Sequence, residues 1–279
     1  MNLITKLIKI FLKYFFQRIY FLFLLFNIKS LRNGGNPLIV SITSQPSRIK
    51  NCWIAIVSIF NQDFENYRII LVLSKEEFPL QKVPWTLQIL QRKGLEILWT
   101  KENLKSYKKL IPVRFKFPIS KIVTFDDDVI YEKWRLKTLH EKSIKEPLAI
   151  IGFRGKRIKR DINNNISPYL SWNEESLIGT SSEETFLTGS GGILYPPNKE
   201  FDNLITNWNL ANELCPTSDD IYFWGVSHHF NIKRISLGFN FIQDIIELKK
   251  SSKLCEVNNS RVNNQNDIAI KKITRHFNI

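Results

Sequence analysis

Three aspartates in a row, Asp126, Asp127 and Asp128, close the apolar run "KIVTF" in a chain that is otherwise strongly basic. Adjacent carboxylates repel one another, and at the end of a buried strand they need a cation beside them. A divalent metal meets that need. Alternate residues of an extended segment point the same way, so Asp126 and Asp128 can face one cleft while Asp127 points elsewhere. Oxygen ligands of this kind favour Mg²⁺ or Mn²⁺, which keep positions open for substrate phosphates. An isolated acidic triplet is more often a solvated turn, but the apolar strand before it and the basic surroundings favour the metal here.

A second acidic pair, Asp219 and Asp220, stands in "CPTSDDIYFW". Thr217 or Ser218 can cap a helix there, and acidic residues in a first turn are favourable in any protein. That accounts for one aspartate better than for both. Among the cations, Arg48 follows the first apolar strand, and Lys105, Lys108 and Lys109 precede the acidic triplet. At helical spacing Lys105 and Lys109 share a face, and one of them can serve a phosphate as a mobile point charge. Gly189, Gly191 and Gly192 in "TGSGGILYPP" permit a bend, a bulge or a close backbone approach. His228 and His229 follow the second acidic pair, and His276 lies near the C-terminus.

The elements that would position these groups are readable from residue 37 onward. "PLIVSITS", "YRIILVLS", "LEILWT" and "KIVTF" read as short apolar strands with helix-like stretches between them. That alternation indicates an α/β fold with a mostly parallel central sheet covered on both faces. Ligands of such sheets bind beyond the carboxyl ends of the strands, so "TSQPSRI", "SKEEFP" and "DDDVIY" are expected to converge on one cleft. Neither GxGxxG nor GxxxxGK[ST] occurs, which weakens dinucleotide and P-loop readings. Farther on, "DINNNISPYLSWNEESLIGTSSEE" reads as a long polar loop of the kind that serves as a lid or acceptor region.

A net charge of +14 calls for an anionic partner. No acidic residue precedes Asp63, so part of that charge is concentrated at the N-terminus. Residues 1–35 form an apolar, aromatic and basic segment whose longest uncharged run, Ile19 to Ile28, is far shorter than the roughly 20 residues that span a bilayer. Lys6, Lys9 and Lys13 recur at helical spacing, as in a helix lying in the interface of an anionic membrane; the alternative is a helix docked on the protein's own core. No cleavage site of a secretory signal follows, and Asn33, Gly34 and Gly35 make a hinge. Residues 36–279 then form the α/β domain. Cys52, Cys215 and Cys255 are odd in number and widely spaced, which fits a reducing compartment better than a disulfide framework.

Strand-DxD-apolar resembles the metal and nucleotide-sugar motif of GT-A glycosyltransferases. "KSYKKLIPVRFKFPISKIVTFDDDVIYEKW" looks like a bacterial subgroup associated with capsule and lipopolysaccharide synthesis. "SITSQPSRI", "ILVLSKEEFP", "TGSGGILYPP", "CPTSDDIYFW" and "NNQNDIAIKKI" extend the likeness, in order, over about residues 38 to 275. The resemblance implies a GT-A, Rossmann-like sheet and a Mn²⁺- or Mg²⁺-dependent transferase. The donor would be a nucleoside diphosphate sugar, UDP-sugar favoured, and the acceptor a glycan or lipid-linked glycan. By the same resemblance Asp128 would ligate metal, with Asp126 a second ligand or a ribose and water contact, Asp127 serving sugar or ribose and His276 a further ligand. Thr43 and Arg48 would hold base and ribose, Lys105 or Lys109 the diphosphate, and Gly191 and Gly192 would lie beneath the sugar. Asp220, with Asp219 next, would be the general base of an inverting reaction. Asn266 and Asp267 would close over the donor. Such an enzyme would sit in the cytoplasm, peripherally attached to the inner face of the plasma membrane.

Two other readings stay open. A sugar nucleotidyltransferase usually carries a glycine-rich, basic loop after its first strand, and "TSQPSRI" has none. A noncatalytic nucleic-acid or anionic-polymer binder is allowed by charge and by "FRGKRIKR", but the RRM, KH and zinc-finger signatures are missing; the expectation is therefore no nucleic acid.

Overall fold

The computed structural model describes residues 3–31, 34–175, 180–238, 246–247 and 264–279. Cys255, Asn33 of the expected hinge and part of the expected polar loop lie outside them. The chain opens with helix α1 (Leu3–Asn27) and then lays down β1 (Leu38–Thr43), α2 (Trp53–Phe60), β2 (Tyr67–Ser74), α3 (Trp85–Arg92) and β3 (Leu95–Thr100). A 3₁₀ helix (Lys105–Lys109) and α4 (Ile111–Lys116) lead into β4 (Ile122–Phe125), followed by β5 (Val129–Ile130), α5 (Arg135–Lys145) and β6 (Ile150–Arg157). Short β7 (Asn173–Glu175) and β8 (Thr180–Ser181) precede the long β9 (Thr185–Tyr195). Then come α6 (Lys199–Ile205), α7 (Trp208–Leu214), α8 (Asp219–His229), β10 (Arg234–Ser236), β11 (Ile246–Glu247) and α9 (Gln265–Phe277).

Strand order in the main sheet is β3-β2-β1-β4-β9-β6-β10-β8. The first four strands pair with one another in parallel, as the alternation of strand and helix signals predicts. β9 then runs antiparallel between β4 and β6, and β10 is parallel to β6. Alternation along the strands feeds two cores. Leu38, Val40 and Ile42 of β1 join Tyr67, Ile69, Leu71 and Leu73 of β2 under α2, α3 and α5. Ile39, Ile70 and Val72 point through the other face toward α4, α6, α8 and α9. Side chains of a strand alternate between faces, so one apolar run serves both layers.

The glycine cluster of β9 has a packing reason. Pairing with β6 shifts register between Gly152 and Arg154, a bulge that falls opposite residues 189–192. Gly192 has φ +96, and a Cβ there would stand 2.3 Å from the Phe125 ring. At Gly191 a Cβ would meet Phe153 and the Arg154 amide at 3.0 and 3.2 Å, and its carbonyl accepts from the buried Arg135 guanidinium at 3.1 Å. The two glycines therefore have a packing reason within the chain itself.

Candidate active site

The loops beyond the carboxyl ends of β1, β2 and β4 converge, and the acidic triplet lies at their meeting point. Asp127 is directed inward. It is 5% exposed, accepts from Ser44 Oγ at 2.5 Å and pairs with Arg48 Nη1 at 2.9 Å. Arg48 also reaches Asp128 Oδ2 at 3.1 Å. Burial pushes Asp127 above the ordinary carboxylate range, opposed by Arg48 and Ser44. Burial also works against the Arg48 guanidinium, yet Asp127 and Asp128 hold it above the usual arginine range. Asp127 and Arg48 thus lock the loop after β1 onto the turn after β4. Thr43 lies one residue before Ser44 and spends its hydroxyl on Val72 O, at 2.8 Å.

Asp126 and Asp128 flank the buried residue, with side chains 30% and 31% exposed. The turn is fixed from below by Tyr131, whose hydroxyl accepts from the Asp126 amide at 2.7 Å. Tyr131 and Ser44 carry no sequence signal of their own; only the folded turn brings them under the triplet.

The second acidic pair is joined to the first by one cation. Lys109 Nζ stands 3.3 Å from Asp126 Oδ1 and 3.1 Å from Asp219 Oδ2. Burial alone would lower this ammonium, but Asp126, Asp219 and Asp220 hold it well above the ordinary lysine range. Asp220 Oδ2 accepts from the Gly189 amide at 2.9 Å, while its buried Oδ1 has no hydrogen-bond partner among the described residues. Burial and then the neighbouring Asp219 charge push Asp220 up to about 7, against Lys109 and the Gly189 amide. A Cβ at Gly189 would stand 2.8 Å from Lys109 Nζ and 3.2 Å from Asp220 Oδ1, which explains the bare backbone there.

Lys105 and Lys109 do not share a face. Their segment is a 3₁₀ helix with about three residues per turn, and Lys105 at φ +53 is turned outward. Lys105 donates to Pro216 O at 3.0 Å, Tyr107 Oη donates to Cys215 O at 2.5 Å, and Lys108 is buried in an ion pair with Glu77 of the loop after β2. The 3₁₀ helix therefore clamps the loop after β2 and the α7–α8 connection, and Lys109 is its contribution to the carboxylates. Ser218 occupies the N-cap position of α8 without a side-chain cap bond.

His276 is not brought to the carboxylates. It is exposed beside Phe277, whose ring lies 5.1 Å from that of His229. His229 ends α8, about 15 Å along the axis from Asp219. Asp267 accepts from the Tyr169 amide at 2.7 Å and Asn266 is buried, both in the first turn of α9.

No protein-family model matches the chain, and no curated protein matches it. Among solved structures it is similar to 4-diphosphocytidyl-2C-methyl-D-erythritol synthase from Anaerococcus prevotii, at 13% identity and TM-score 0.50, covering 81% of this chain and 98% of that one. S. aureus TarS 1–349 aligns at 16% identity and TM-score 0.47, over 87% of this chain and 72% of that one. Its complex with UDP aligns at 12% identity and TM-score 0.48, with the same coverage. At such identities the first of these likenesses establishes architecture alone: the chain has an α/β, Rossmann-like fold.

Proposed function

We propose that the chain is a glycosyltransferase that moves a sugar from a nucleoside diphosphate sugar to a hydroxyl of a surface glycan. The observation that carries this reading is the joining of two carboxylate groups through Lys109, at the carboxyl edge of a parallel sheet. Asp126 and Asp128 would hold Mn²⁺ or Mg²⁺: both are partly exposed, and they pair with Lys109 and Arg48 respectively. The described residues contain no group of three His, Cys, Asp or Glu able to hold an ion, so the other positions would fall to diphosphate oxygens and water. When bound, the ion would take up charge on the leaving diphosphate.

The remaining roles belong to side chains. Arg48 and buried Asp127 hold the turn in shape. The Gly189 amide orients Asp220, whose elevated affinity for a proton suits a base that works near neutrality. A base opposite the leaving diphosphate implies inversion. The ordered motifs of residues 38–275 support a capsule or lipopolysaccharide acceptor, and a cytoplasmic donor supply.

The likeness to a synthase of diphosphocytidyl products favours a second reading, a nucleotidyltransferase. The loop after β1 speaks against it: it has no glycine, and its arginine is engaged by Asp127 and Asp128. Incubation with sugar nucleotides is expected to release nucleoside diphosphate, while nucleoside triphosphates with sugar 1-phosphates should yield no pyrophosphate. Pyrophosphate release with formation of a sugar nucleotide would replace the first reading by the second.

A further inference from the structure

Helix α1 has two apolar faces, and the described residues cover only one. Phe21, Leu25 and Ile28 are buried in the core shared with α2 and α3, and Arg18 ties the helix to Asn51 at 2.6 Å. On the other side Leu12, Phe16, Ile19, Tyr20, Phe23 and Phe26 are exposed, with Phe16, Phe23 and Phe26 more than 60% accessible. At about 100° per residue these six positions fall within a sector roughly 120° wide, opposite the docked line. Contiguous aromatic surface of this size on a folded domain marks an interaction site.

We infer that this stripe docks in the plane of an anionic phospholipid bilayer. Charge selects the occupant. The first 62 residues hold eight basic residues and no acidic one, and helical spacing places positions 6, 9 and 13, all lysine, along one edge of the stripe. A second copy of the helix packed on the same face would bring two cationic segments together with no acidic partner, whereas anionic headgroups neutralise them. No helix of the described residues is long and apolar enough to cross a membrane, which leaves the in-plane arrangement.

The docking also orients the site. Leu31 donates to Lys93 O just before β3, at the amino ends of the strands, while Arg18 meets Asn51 in the segment that follows Arg48. Helix α1 therefore runs from the carboxyl end of the sheet, where Arg18 lies, back to its amino end, so the part of the stripe around Arg18 lies nearest the edge that carries the aspartates. On the catalytic reading proposed above, that position serves a lipid-linked acceptor; the binding itself does not depend on that reading.

Vesicle flotation of the full chain tests it, using phosphatidylcholine alone or mixed with phosphatidylglycerol. The native protein is expected to float with the mixed vesicles and to be released in part by high salt. The triple variant Phe16→Ser/Phe23→Ser/Phe26→Ser should bind roughly tenfold more weakly or worse, with unchanged melting temperature because the three rings are exposed. Failure of the native protein to float would overturn the inference. So would a native dimer in light scattering that the triple variant dissolves, since the stripe would then be a contact between copies.

Discussion

Replacing Asp220 by Asn is expected to cut turnover by about 10²–10⁴-fold while leaving donor binding nearly intact. The amide keeps the side chain's size, and its oxygen can still accept from the Gly189 amide, the contact that Asp220 Oδ2 makes at 2.9 Å. What it loses is the ability to take a proton. In the native protein burial, and then Asp219, push Asp220 up to about 7, so the acidic limb of the rate profile is expected near pH 7, with activity rising as the carboxylate forms. Asp219→Asn removes a charge that raises Asp220, and its limb should move to lower pH. The stability sign is opposite to that of an ordinary paired aspartate. A carboxyl raised in the fold favours the folded state at low pH, and that contribution is lost as pH rises from the unfolded value through about 7. Asp220→Asn should therefore melt higher than the native protein at pH 8. Native turnover in Asp220→Asn would place the base elsewhere.

Lys109→Met is expected to give the largest loss of stability, on the order of 3–5 kcal/mol. Methionine fills much of the lysine stem, but Asp126, Asp219 and Asp220 would be left clustered without the ammonium that now lies 3.3 and 3.1 Å from the first two. Leaving a buried charge without its partner is costly in a way that losing an exposed ion pair is not. The variant's Asp220 should hold its proton to higher pH, because Lys109 opposes the rise in the native protein. Mn²⁺ should raise the melting temperature of Lys109→Met more than that of the native chain, since an ion at Asp126 would replace part of the missing charge. A variant that melts like the native protein, with or without Mn²⁺, would show that Lys109 does not bind the two acidic groups together.

The parts of this architecture that were legible in the sequence are those set by local pattern. β1 to β4 are short, largely apolar runs, and the aspartates follow the fourth directly, so the acidic triplet can be placed at the carboxyl edge before any contact is known. The antiparallel insertion of β9 cannot, because strand pairing between residues 122–124 and 193–195 leaves no local trace. Segment 105–109 has the spacing of an α-helical face, yet Lys108 and Lys109 are held by Glu77, Asp126 and Asp219, and those tertiary pairs select a 3₁₀ turn. The repulsion among three adjacent aspartates was read as a demand for metal. The fold answers part of it with Arg48 and Lys109, residues the resemblance assigns to base and ribose and to the diphosphate. Nor can chain order say at which end of α8 a terminal helix docks: Gly225 admits Ile273, and His276 is carried to the end remote from Asp219. For α1, the docked face and the solvent-facing stripe have the same apolar composition, and only the packing of Phe21, Leu25 and Ile28 tells them apart.

The most direct measurement is release of nucleoside diphosphate from a panel of UDP-, GDP- and TDP-sugars, with Mn²⁺ or with EDTA, for the native protein and for Asp128→Ala. Slow cleavage of one donor is expected with Mn²⁺, abolished by EDTA and reduced at least about a hundredfold in the variant. Cleavage that persists unchanged in EDTA and in Asp128→Ala, or no binding and cleavage of any donor with metal present, would contradict the assignment of the acidic triplet to metal and diphosphate.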